Sequence, residues 1–248
     1  MNRKEWKEWI APGPVLLDGA TGTLLQQQGM PAGACPERHA LAHPDRLSAI
    51  QEAYFRAGSE IVYVFSFGGS EIKLAHHGAD PDEAARLNRS LSALSVSVRD
   101  RVTAGFPGRR RLVAGDLAPT GAFLPPGGDL SFDALRGVYR RQARALADGG
   151  ADLFVLETMM DLAQARAALL AVRDTGDYPV VVTLTFGPEG RTLSGNPLEA
   201  CVVTLQALGA DAVGANCSTG PDAMAGPFGR ALAAARVPLA AKPNAGMP

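Results

Sequence analysis

Short apolar runs rich in β-branched residues alternate with longer stretches whose apolar positions recur at helical spacing, and the alternation continues over most of the chain. Seven runs read as strands, at residues 15–20, 60–66, 111–117, 153–159, 180–186, 212–217 and 238–243. They are continuously apolar rather than alternating, which predicts parallel strands covered by helices. The segments between them carry helix-start signals. In "DPDEAARLN" Asp80 is placed to cap, Pro81 occupies the first helical position and Glu83 follows three residues after the cap. Asn196, Pro197 and Glu199 repeat the device ahead of a closing Gly209, and Asp161 stands in the same relation to Gln164. "LADGGADLFVLE" and "LQALGADAVGANC" resemble each other, each a helix end, a glycine, an Ala-Asp pair and a strand, as stacked βα units produce.

A βα series closes into a barrel or stays open as a doubly wound sheet. No dinucleotide-type glycine fingerprint follows any strand, since "DGATGT" has the wrong spacing, and polar residues recur at the C-terminal tips of many strands. The expectation is therefore an α/β protein, a TIM-type (β/α)8 barrel in one domain over 1–248, with seven strands counted and the eighth βα unit lacking. In a barrel all strand tips face one mouth, so Asp18, Glu157, Asn216, Cys217 and Asn244 converge although far apart in sequence. Two carboxylates beside amides and a thiol suit a ligand with an ammonium group and a soft sulfur or metal.

Composition narrows the classes. The 248 residues are 46% hydrophobic, enough for a large core, and the formal charge of -1 is spread without a basic stripe. Nucleic acid and membrane surfaces are thus not expected partners. Three cysteines do not build a disulfide framework and fit a reducing compartment. The N-terminal "MNRKEWKEWIAPG" lacks the apolar core of a signal peptide, and no run approaches the roughly 20 apolar residues of a membrane span. A cytoplasmic protein is expected. Cys201 falls inside a helix as a small hydrophobe, His76 and His77 mark a helix end before Gly78, and His39 and His43 flank a helix start. Lys242 at a strand tip has the placement of a Schiff-base nucleophile, a minor alternative. "APTGAFLPPGGD" reads equally as a lid or a plain connection.

"VLLDGATGTLLQQQG", "CPERHALAHPD", "AGSEIVYVFSFGGS", "GDLAPTG", "GADLFVLETMMDLAQARAAL", "GRTLSG", "GADAVGANCSTGP" and "KPNAGMP" resemble, in order, the motifs of the homocysteine S-methyltransferase family, in particular its cobalamin-dependent members. The resemblance implies a barrel that binds homocysteine, holds zinc through three cysteine thiolates and methylates the substrate sulfur to give methionine. An ordinary thiol, with a pKa near 8.5, is mostly protonated at neutral pH, and zinc coordination would deprotonate it. Carried over by motif, Asp18 and Glu157 would receive the substrate ammonium and the Gly19, Ala20 and Thr21 backbone would approach the ligand. Asn216 and Asn244 would line the site, and Cys217 would be a zinc ligand and the catalytic thiolate. Methylcobalamin on a separate protein or domain would be a methyl donor, so a corrinoid protein is an implied partner.

Two departures temper this. The family's Gly-Gly-Cys-Cys segment, which supplies the other two thiolates, does not occur in the sequence, leaving Cys217 alone unless Cys35 in "GACPE" is recruited. Phe65 in "VFSFGG" stands where the family usually has a polar asparagine. The alternative is therefore an incomplete or zinc-free barrel that binds a small amino acid, or a second chain completing it, without thiol methylation.

Overall fold

The computed structural model describes residues 1–187 and 189–246. Its strands are β1 (Ile61–Tyr63), β2 (Leu112–Leu117), β3 (Leu153–Met159), β4 (Val180–Leu184), β5 (Ala212–Asn216) and β6 (Leu239–Lys242). The helices preceding β1 are α1 (Arg3–Ile10), α2 (Thr21–Gln27), α3 (Pro36–Ala42) and α4 (Pro44–Ala57). Then α5 (Glu71–Ala75) and α6 (Pro81–Gly105) precede β2, α7 (Phe132–Asp148) precedes β3, and α8 (Leu162–Arg173) precedes β4. Finally α9 (Leu198–Ala207) precedes β5 and α10 (Pro221–Leu232) precedes β6. All strand pairs are parallel and the sheet order is the chain order, β1 to β6. An order that never reverses belongs to a barrel wall and not to a doubly wound sheet.

The sheet is strongly curled. Laid flat, strands one and six would stand about 24 Å apart at about 4.8 Å per strand. Instead the Lys242 ammonium at the end of β6 lies 3.8 Å from the centre of the Tyr63 ring on β1. It also lies 3.1 Å from Asp18 Oδ1, just before α2.

The predicted first strand is reduced to one bridge, Leu17 to Ile61. The Asp18 side chain explains why: its Oδ2 accepts the Tyr63 backbone N–H at 2.7 Å, taking the donor that a longer ladder would need, and the chain turns into α2. Six strands and this bridge thus replace the seven strands expected among the described residues. The remaining predicted runs hold, 153–159 without change and the others with at least one end trimmed by one to three residues.

Strand residues alternate between two apolar layers, as burial on both faces requires. Val62, Val113, Phe154, Val180, Val182 and Val213 face the helices. Ile61, Leu112, Leu153, Val181 and Ala212 face inward at the strand beginnings and pack around Trp6 of α1, which closes the lower end of the barrel. Arg3 anchors that helix through Asp211 at 2.9 Å and the Gly209 carbonyl at 3.0 Å. Gly214 is required in β5, because a Cβ there would sit 1.7 Å from the Ala240 carbonyl oxygen of β6.

Asp80 caps α6 with Pro81 behind it, accepting the Glu83 N–H, and Asp161 caps α8. Asn196 does not cap α9, whose first flanking residue is Pro197. Its amide oxygen accepts the Ser194 hydroxyl and its N–H donates to Thr192 Oγ1, so the side chain is committed to the preceding turn.

Candidate functional site

Strand alternation and register together place a polar layer above the apolar floor. Asp116 is opposite Val155, and Asn216 is opposite Lys242, on the inward parity set by Ile61, Leu112, Leu153 and Val181. Because the strands are parallel, Asp116, Glu157, Asn216 and Lys242 all stand toward their C-terminal ends. Asp18 and Tyr63 complete the ring.

Asp18 is buried, with both carboxylate oxygens engaged: Oδ2 by the Tyr63 N–H, Oδ1 by Lys242. Burial pushes its pKa up, against the pull of Lys242. Lys242 would be pushed down by burial, but Asp18, Glu157 and Asp116 together hold it above the ordinary lysine value, so it is an ammonium. An amine kept protonated is a poor Schiff-base nucleophile, which sets aside that alternative. Asp116 is buried with its Oδ1 unpartnered. Burial and then the neighbouring Glu157 drive its pKa well above the carboxylate range, and burial likewise raises Glu157. The Tyr63 hydroxyl, raised well above its usual value by burial, also feels Glu157, Asp18, Asp116 and Cys217, so the four groups share one neighbourhood.

Beside this cluster Asn216 braces a strained corner. Thr158, Cys217 and Ser218 all have φ of 58°, a left-handed conformation costly for non-glycine residues and most of all for β-branched Thr158. Asn216 Oδ1 accepts the Thr158 N–H at 2.8 Å. Its Nδ2 donates to Thr158 Oγ1 at 2.7 Å and to Cys217 Sγ at 3.1 Å. The thiol therefore turns out of the strand and is held by an amide donor. Beside it lies a cavity of about 20 Å³ lined by Phe186, Met224 and Phe228 among others. A larger cavity of about 210 Å³ lies among α5, α6 and α7, and no strand-tip residue lines it.

The structure brings Asp18, Glu157, Asn216 and Cys217 together. Gly19, Ala20 and Thr21 form the turn from Asp18 into α2, and Gly19 is close enough to Tyr54 that a Cβ would sit 2.8 Å from the phenol oxygen. Asn244 stays peripheral: its backbone N–H donates to the Thr219 carbonyl at 3.1 Å, beside the loop after Cys217. Cys35 belongs to a separate cluster with Leu74, Ala79, Ala84 and Leu87, its thiol 3.7 Å from Glu37. Cys201 is fully buried in α9, with its thiol pushed up to about 12 by burial. Phe65 lies against the start of α2 near Gly22. Among the described residues no three His, Cys, Asp or Glu side chains are grouped to hold a metal, so Cys217 stands as a single sulfur ligand and the three-cysteine zinc site that the resemblance implies is not formed by them. Sequence reasoning missed Asp116, Tyr63 and Thr158. An acid inside an otherwise apolar run, "LVAGDLA", was the available signal for the first.

The homocysteine S-methyltransferase profile matches residues 15–248. The chain belongs to the homocysteine S-methyltransferase family. It is 35% identical over 244 residues to methionine synthase of Mycobacterium tuberculosis, covering 93% of this chain and 20% of that protein. To methionine synthase of Mycobacterium leprae it is 32% identical over 252 residues, covering 97% and 21%. The chain thus spans about a fifth of these curated relatives. The metallated form of the homocysteine methyltransferase MmuM from Escherichia coli shares the fold with a TM-score of 0.86 at 23% identity, over 97% of this chain and 87% of that one. Family membership fits the curled wall of parallel strands with its functional groups at one rim. Among the described residues no helix is long and apolar enough to cross a membrane.

Proposed function

We propose that this member of the family binds homocysteine at the strand tips and serves its conversion to methionine by transfer of a methyl group to the sulfur. The observation that carries the reading is the excess of carboxylate beside a presented thiol: buried Asp18 and Asp116 and partly exposed Glu157 gather around Tyr63 next to Cys217. A buried surplus of negative charge is relieved by a cationic ligand. The ammonium of an amino acid meets that need at Glu157 and Asp116, and its side-chain sulfur can then point toward Cys217 and the Asn216 amide.

In the reaction the thiol proton leaves, an S–C bond forms, and the bond between methyl and donor breaks with its electron pair staying on the donor. What this chain's residues supply is binding, orientation and a fixed sulfur position. The donor must be brought from elsewhere, and the likeness to methionine synthase supports a methyl group carried on a corrinoid, methylcobalamin, by another protein or domain. Zinc would activate the thiol directly, yet the described residues offer it one thiolate, so no step is assigned to it. The same observation favours a second reading, a barrel that binds the amino acid without methylating it. The cytoplasm is the compartment that free thiols support.

The test is calorimetric binding of homocysteine followed by a methionine assay with methylcobalamin. The expected result is saturable binding that weakens about tenfold in Glu157→Gln, the loss of one charge-assisted contact. Methionine formation that disappears in Cys217→Ser supports catalysis. Binding without methionine selects the second reading, and no binding overturns both.

A further inference from the structure

The ammonium subsite already contains an ammonium. Lys242 Nζ lies 3.1 Å from Asp18 Oδ1 and 3.8 Å above Tyr63, inside the carboxylate ring and on the side of Asp18. Asp18 has no uncommitted oxygen, since its Oδ2 takes the Tyr63 N–H. The opposite side of the ring differs: Asp116 Oδ1 is buried without a partner, and Glu157 is partly exposed at the mouth. The protein's own cation thus satisfies one face of the cluster and leaves the other open.

We propose that Lys242 is a specificity-determining residue that competes with the ligand's ammonium for the carboxylate ring, confining it to the Glu157 and Asp116 face and weakening every amine-bearing ligand. Two like charges at contact distance repel even in water, and more strongly where the protein shields them from solvent. A ligand amine entering this ring bears that repulsion or displaces Lys242 from Asp18. A ligand with a carboxylate and a thiol but no amine bears neither. The inference rests on the homocysteine reading for the identity of the site, but not for its test.

Three probes separate the contributions: homocysteine, 2-aminobutyrate, which keeps amine and carboxylate but lacks the thiol, and 4-mercaptobutyrate, which keeps thiol and carboxylate but lacks the amine. Binding is measured by calorimetry to the full chain and to Lys242→Met, Lys242→Gln and the double variant Asp18→Asn with Lys242→Met, each checked for folding by its melting curve. In Lys242→Met, homocysteine and 2-aminobutyrate should bind at least about fivefold tighter, with 4-mercaptobutyrate changed less than about twofold, since the repulsion of two unit charges about 4 Å apart in water corresponds to about fivefold in binding. Lys242→Gln should follow in the same direction. The double variant, which removes both members of the pair, should return the amine preference to near the native level. The proposal is overturned if Lys242→Met weakens the two amine ligands, which would make Lys242 a reader of their carboxylate, or leaves their preference over 4-mercaptobutyrate unchanged. A tighter 2-aminobutyrate with homocysteine binding no better than it would support Lys242 as competitor while removing the thiol reading.

Discussion

Replacing Asn216 with alanine is the sharpest probe of the strained corner. The substitution removes the acceptor of the Thr158 N–H and the donor shared by Thr158 Oγ1 and Cys217 Sγ, at 2.8, 2.7 and 3.1 Å. Each bond contributes about 1 kcal/mol net, and the buried N–H left unmade costs a further ~1–3 kcal/mol. Against this, three residues at φ 58° are released from a conformation costing about 1 kcal/mol or more each, as the corner relaxes. The balance is a loss of about 2 kcal/mol, read as a lowered midpoint in urea. Asn216→Asp keeps the Thr158 acceptor but puts an acidic oxygen against Sγ. It should lose about 1 kcal/mol while slowing Cys217 alkylation about tenfold. That alkylation can be followed in the native protein because Cys35 and Cys201 are buried. A loss below about 1 kcal/mol in Asn216→Ala would refute the claim that this amide holds the corner.

Other outcomes follow from the same geometry. Thr158→Gly removes the strain and the hydroxyl together, so its urea midpoint should lie close to native; a loss above about 2 kcal/mol would mean the φ of 58° is not costly here. Asp116 carries a raised pKa from burial, so the folded state keeps a proton that the unfolded chain releases. Its contribution is present at acid pH and is lost as pH rises from the ordinary carboxylate range toward its folded value. Asp116→Asn should flatten that fall above the ordinary carboxylate range and gain about 1 kcal/mol at neutral pH, and a steeper slope would contradict it. Asp211 is buried between Arg3 at 2.9 Å and Arg173 at 2.7 Å and also accepts the Val180 N–H at 3.0 Å. Asp211→Ala should cost about 3 kcal/mol of unfolding free energy, the lower end for a broken buried pair because the Arg3 side chain is partly exposed.

What could be read from the sequence was what depends on local pattern. Apolar runs located the strands, and Asp80 and Asp161 announced their helices because a cap acts within three residues. The first strand failed because its pairing is ended by Asp18 reaching a backbone donor 45 residues away, which no window contains. Tip residues could be nominated from strand order alone, but their partners could not. That Lys242 would occupy Asp18 depends on how far the sheet curls, a property of all six strands. Asn196 shows the converse, a good local cap signal overridden by a competing turn.

Trp6 and Arg3 carry a consequence for how the domain is delimited. The family match starts at residue 15, whereas the helix bearing these two side chains ends at Ile10. A fragment trimmed to the matched segment would excise the stopper beneath Ile61, Leu112 and Leu153 and admit water to the apolar floor. The rim chemistry would then stand on a hollow foundation, even though every residue of the rim had been kept.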